Sequence, residues 1–161
     1  FQTLRRSSTS LGQINITEEK VLEGSFSASQ TELDLLIDLK KTTANSFGIK
    51  LQNDLEEKFL IKFDKREGQM FVDRTNSRKD KFSEDFFKNV HTAPIDFEKE
   101  KMNIRLILDA SSIEIFVNNG ELSFTSIFFP SEKFNTISLF SNNGIFKIIN
   151  TEIYPLNSIW N

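Results

Sequence analysis

Asp38, Asp64, Asp73 and Asp109 each sit near the end of an apolar run, and Glu114 lies in the middle of one. Paired carboxylates of this kind can hydrolyse a glycosidic bond when they face each other across a cleft, roughly 5–5.5 Å or 6.5–9.5 Å apart according to mechanism. Aspartates at strand ends more often cap turns or pair across strands, here with Arg74, Arg105 or a lysine. With 23 acidic residues in the chain, some pair will meet any distance test by chance, so none is assigned a catalytic role. His91 is the single histidine. It has no nucleophile motif near it, and beside Ala93-Pro94 it reads as a packed loop residue. One histidine with scattered carboxylates is a poor metal site, and the spaced aspartates and glycine of a Ca²⁺ loop do not occur. The six glycines stand far apart, which removes phosphate-cradling loops and the nucleophile elbow. No catalytic, metal, cofactor or substrate-binding residue is nominated, and no cofactor is expected. Outward-facing aromatics are the other chemistry to weigh. Phe116 and Phe71 fall opposite their Ile, Val or Met neighbours, Phe128-Phe129 precedes Pro130, and Trp160 lies near the end. A contiguous exposed patch of this kind would mark an interface between domains more readily than a sugar platform.

The elements that position these residues read as strands. Ile113, Ile115 and Val117 recur at every second position, the period of a strand with one buried face. Met102, Ile104, Leu106 and Leu108 alternate before them, and Leu122 and Phe124 after. Asn119-Gly120 offers the two positive-φ residues of a tight type I′ hairpin, so these three strands form a meander at the centre of an antiparallel sheet. The same alternation runs through Leu33 to Leu39, Phe47 to Leu51 and Phe59 to Phe63. Lys65-Arg66-Glu67-Gly68 is a hairpin turn from which Met70 to Asp73 returns. Ile137 to Phe140 and Ile145 to Ile149 flank a second Asn-Asn-Gly at 142–144, read as a repeat of the hairpin turn. Ile14 and Ile16 centre a first edge strand, Glu18-Glu19-Lys20 could equally start a turn, and Glu23 to Gln30 is a loop or weak strand. Only Ser83 to Asn89 reads as a turn of helix. Ten or more short strands with turns every 8–12 residues predict an all-β fold, a β-sandwich of two antiparallel sheets.

Composition sets the outer limits. A chain of 161 residues fits one domain and buries roughly 70% of its unfolded surface, so it needs no staples. No cysteine is present, which excludes disulfides and thiolate chemistry. Seventeen phenylalanines against one Tyr and one Trp predict a core of aromatic bulk. A net charge of −3, evenly interspersed, gives no electrostatic reason to expect nucleic acid. No apolar run approaches the ~18 residues of a membrane span. Residues 1–22 lack period and read as the end of a linker with a lead-in strand, and 23–161 as the module proper. The start at Phe1 reads as a cut from a longer chain, with any signal peptide upstream.

Six motifs occur in order: Phe47-Gly-Ile-Lys-Leu, Phe71-Val-Asp-Arg-Thr-Asn-Ser, His91-Thr-Ala-Pro-Ile, Asp109-Ala-Ser-Ser-Ile-Glu-Ile-Phe-Val-Asn-Asn-Gly, Thr125-Ser-Ile-Phe-Phe-Pro and Ile153-Tyr-Pro-Leu-Asn-Ser-Ile-Trp. Together they resemble the C-terminal β-sandwich module of glycoside hydrolase family 32, the levanases, inulinases and invertases. Arg78 departs from it, standing where the family commonly has glycine, so the conformation of that loop is not carried over. The resemblance implies a concanavalin-like or jelly-roll sandwich following a five-bladed propeller that cleaves β-fructosyl linkages. The family's acidic motifs (Trp-Met-Asn-Asp-Pro-like, Arg-Asp-Pro and Glu-Cys) are absent here, so no catalytic residue transfers. The expected partner is the N-terminal propeller domain of the same polypeptide, which the module packs against and stabilises. Fructan, through a lectin-like groove lined by aromatics with Asn, Asp or Arg, is the alternative. Cut from its neighbour, the apolar face would favour self-association. Fructan polymers point to an exported enzyme, secreted, periplasmic or at the cell surface.

Overall fold

The structure is a computed structural model that describes residues 4–77 and 90–157. The readings at Arg78, Ser83 to Asn89 and Trp160 fall outside these residues. Thirteen strands appear among those described: β1 (Thr9–Ser10), β2 (Ile14–Ile16), β3 (Glu19–Val21), β4 (Thr31–Asp38), β5 (Ser46–Gln52), β6 (Lys58–Asp64), β7 (Gln69–Asp73), β8 (His91–Pro94), β9 (Lys101–Leu108), β10 (Ser112–Val117), β11 (Leu122–Ile127), β12 (Thr136–Asn142) and β13 (Phe146–Pro155). They form two antiparallel sheets. The first runs β1-β13-β4-β9-β10-β11, with β2 also on β13, and the second runs β3-β12-β5-β6-β7-β8.

Alternation fixes which side of each strand faces inward. Leu33, Leu35 and Ile37 of β4, Met102, Ile104, Leu106 and Leu108 of β9 and Ile113, Ile115 and Val117 of β10 are buried, as are Phe47, Ile49 and Leu51 facing them from β5. Between the sheets, Phe47 stacks on Phe63 of its own sheet at 5.6 Å and on Phe146 of the other at 4.4 Å. Phe128 is buried against Phe59 and Phe134, at 5.4 Å and 5.1 Å. It is therefore core, and only Phe129 of the Phe128-Phe129 pair is exposed.

Three expectations change. The β9-β10-β11 meander exists, but β11 is the edge of the first sheet and β4 and β9 are its middle. Residues 13–22 split between the sheets. Ile14–Ile16 pairs with β13, the chain bends at Thr17-Glu18, and Glu19–Val21 pairs with β12. The two Asn-Asn-Gly turns differ in kind. At 118–121 Asn119 (φ 57, ψ 33) and Gly120 (φ 92) take the positive φ a type I′ turn requires, though Asn118 is left-handed too (φ 50). The Asn118 side chain accepts the Asn103 N–H at 3.1 Å, which secures that conformation. At 142–144 the strands on either side belong to different sheets, so this turn is a crossover and not a hairpin.

Candidate functional site

Asp38 accepts the Lys41 N–H at 3.0 Å, and Asp64 accepts those of Arg66 and Glu67 at 3.0 and 3.2 Å. Asp73 accepts from the Thr75 N–H and hydroxyl at 2.8 and 2.6 Å, and Asp109 from the Ala110 N–H at 2.7 Å. Each of these aspartates caps its own turn. Nor are they grouped for catalysis. Asp38 lies beside Lys101 at the start of β9 and Asp109 just past its end, which at ~3.3 Å per residue separates them by about 25 Å. Asp64 and Asp73 are in the second sheet. Glu114 is exposed between Ile107 and Thr125.

The acidic residues that do converge are others. On the outer face of the first sheet Glu32, Asp34 and Leu36 of β4 alternate with the core leucines. The Glu32 side chain has no exposed area, yet it is charged. Arg5 reaches it with Nε at 2.7 Å and an Nη at 2.5 Å, and Arg105 of β9 with Nε at 2.5 Å. Burial would push the Glu32 carboxyl up, but the Arg5 and Arg105 guanidinium groups outweigh it and hold the pKa below the ordinary value. Its bond to Glu32 pushes Arg5 up. The Arg5 guanidinium also lies 4.2 Å over the Tyr154 ring. A second buried carboxylate, Glu57, is structural. It accepts from the Asn53 amide at 2.7 Å and from the Ser131 N–H and hydroxyl at 2.8 and 2.7 Å, pinning the 53–57 turn to the segment before β12.

Beside Glu32 opens a cleft of about 560 Å³ walled by Asp34, Leu36, Asn103, Asn150, Glu152 and Tyr154. A register shift in β13 between Ile148 and Asn150 helps to shape it. Asp34 and Glu152 are direct cross-strand partners, so their Cβ atoms stand about 5 Å apart. Such a pair could bind sugar hydroxyls or a cation. Both are half-exposed, and Asp34 accepts an amide bond from Asn103 at 2.6 Å. Sequence reasoning missed this group because its members are far apart along the chain.

Among the described residues, the nominated aromatics do not gather into a platform. Phe71 lies on the outer face of the second sheet under Lys62, whose Nζ is 4.5 Å from the ring centre. Phe116 is half-buried on the outer face of the first sheet. His91 is not a packed loop residue. It opens β8, is exposed, and lies 5.4 Å from the Phe124 ring across the edge of the sandwich. Among the described residues no three His, Cys, Asp or Glu side chains are grouped to hold a metal, and no helix is long and apolar enough to cross a membrane.

The family model described as "Glycosyl hydrolases family 32 C terminal" matches residues 1–155. A levanase of Bacillus sp. (strain L7) is 31% identical over 143 residues, which cover 88% of this chain and 15% of the levanase. An extracellular exo-inulinase of Aspergillus awamori is 29% identical over 150 residues, 90% of this chain and 28% of that enzyme. In the crystal structure of the A. awamori exo-inulinase the likeness reaches a TM-score of 0.80 at 24% identity, over 99% of this chain and 31% of that one. For fructan 1-exohydrolase IIa of Cichorium intybus the TM-score is 0.79 at 20% identity, covering 98% and 36%. At these identities the structural likeness is one of fold. The chain spans less than a third of the length of the curated relatives it matches.

Proposed function

The chain belongs to the glycosyl hydrolase family 32 C-terminal family, and on that premise we propose that it is the non-catalytic module of a fructan- or sucrose-cleaving enzyme, packed against an N-terminal catalytic domain that it stabilises. The observation that carries this reading is how the carboxylates are used. Those at the strand ends cap turns, and the buried ones serve as structural anchors. Residues 1–22 we take as the hand-over from that domain, with β1 to β3 paired onto the sandwich, and 23–161 as the module itself. The extracellular exo-inulinases among its relatives support an exported parent. The test is to incubate the chain with sucrose, levan and inulin beside the full-length enzyme. Fructose should appear only with the full-length enzyme, and release by the chain alone would overturn the reading.

A second reading, a lectin-like fructan-binding module, has the cleft of Asp34, Asn103, Asn150, Glu152 and Tyr154 in its favour. Hydrogen-bonding side chains beside an aromatic ring are what a sugar site requires. Calorimetry against levan and inulin decides it: millimolar or tighter binding lost in Asp34→Ala supports a lectin role, and no heat removes it.

A further inference from the structure

Resting on the packing reading, we propose that the outer face of the first sheet, from Tyr154 across to Ile127, is the surface on which the upstream catalytic domain sits. The point at which the chain comes in is the first argument. Leu4 to Arg6 lie antiparallel beside Pro155 to Asn157. The Arg6 N–H donates to the Pro155 carbonyl at 2.9 Å, and the Asn157 N–H to that of Leu4 at 2.9 Å. The Arg6 side chain donates to Asn157 Oδ1 at 2.6 Å, and Arg5 folds over this same face onto Tyr154 and the buried Glu32. A lead-in held this way cannot swing, so the domain before it is delivered to the first sheet. Most of each relative lies outside the stretch this chain matches, which leaves ample polypeptide for such a domain.

The two outer faces both set apolar side chains among charged ones. That of the second sheet has Leu60, Phe71 and Phe140 among Lys50, Lys58 and Lys62. That of the first mixes Leu36, Ile107, Phe116 and the exposed Ile127 with the acidic pair Asp34 and Glu152. Strands about 4.8 Å apart and ~3.3 Å per residue make five strands of six residues a patch of roughly 400 Å² a side, within the range of inter-domain contacts. Its partner surface should bring Arg or Lys side chains to Asp34 and Glu152 and apolar ones to Phe116 and Ile127.

The test uses the full-length enzyme, since this stretch has no native cysteine. Single substitutions Glu114→Cys and Glu152→Cys probe the first sheet and Lys58→Cys the second, with maleimide labelling located by peptide mass spectrometry. The proposal expects labelling at 114 and 152 about tenfold slower than at 58 in the folded enzyme, and equal rates in denaturant. Fast labelling at 114 and 152 with slow labelling at 58 overturns it while leaving packing intact, on the other face. Fast labelling everywhere overturns it together with the packing reading. Protection at 152 only after levan or inulin is added also overturns it, and assigns the cleft to sugar.

Discussion

Glu32→Gln would keep the shape of a side chain that Arg5 and Arg105 both bind and remove its charge. Removing one partner of a fully buried pair is severe, but these arginine side chains are 22% and 34% exposed and can return to water. A loss of about 2 kcal/mol is expected, read from urea unfolding. The pH dependence has a definite sign. The folded pKa of Glu32 is lowered, so its stabilisation is present above the ordinary carboxylate range near ~4.3 and is lost as pH falls through the folded value. The Tm of the wild type should therefore fall more steeply than that of Glu32→Gln below about pH 4. Parallel curves would show that the triad contributes nothing. What sequence reveals at this scale depends on distance along the chain. The roles of Asp38, Asp64, Asp73 and Asp109 were legible because a cap reaches a backbone N–H one to three residues away. Glu32 meets its arginines 27 and 73 residues away, and Asp34 meets Glu152 only through β4–β13 pairing, which no local pattern reports.

Two glycines in the same tripeptide carry different loads. A Cβ on Gly120 would meet nothing within 4 Å, so Gly120→Ala costs only the strain of φ +92, about 1 kcal/mol. One on Gly144 would fall 2.7 Å from Ala44 N and Thr43 C, backbone atoms that cannot turn aside, where the chain passes from the second sheet to the first. Gly144→Ala should cost about 3 kcal/mol or more, seen as a much lower urea midpoint than that of Gly120→Ala. Equal midpoints would contradict the distinction between hairpin and crossover. Strands were legible because burial on one face imposes a period of two on Leu33 to Leu39, Phe47 to Leu51 and Ile113 to Val117. Which strands become neighbours was not. The backbone chemistry of Asn-Asn-Gly is local, whereas the sheet that the following strand joins is decided by the whole core. Residues 14–21 make the same point, since a bend at Thr17-Glu18 sends two three-residue strands to opposite sheets.

At the scale of the molecule, six short motifs in order were enough to reach the family and its sandwich; most hold a turn or a buried strand face, whereas His91-Thr-Ala-Pro-Ile is an exposed edge strand. They say nothing about which face would meet a neighbour, since the motifs are set by turns and inward-facing residues. On the proposed packing, the clamp of Leu4 to Arg6 onto Pro155 to Asn157 would make the junction with an upstream domain stiff, so a loss of stability in the sandwich should be felt by that domain. Leu33 is fully buried in the middle of the first sheet, and Leu33→Ala should cost about 3 kcal/mol by the cavity it leaves. The decisive measurement is made on the full-length enzyme carrying Leu33→Ala, comparing kcat and KM on its best fructan or sucrose at low temperature with the half-life of activity on heating. A supporting module predicts unchanged kcat and KM and a half-life several-fold shorter. A large fall in kcat at low temperature, with the half-life unchanged, would contradict it and place this sandwich in the reaction itself.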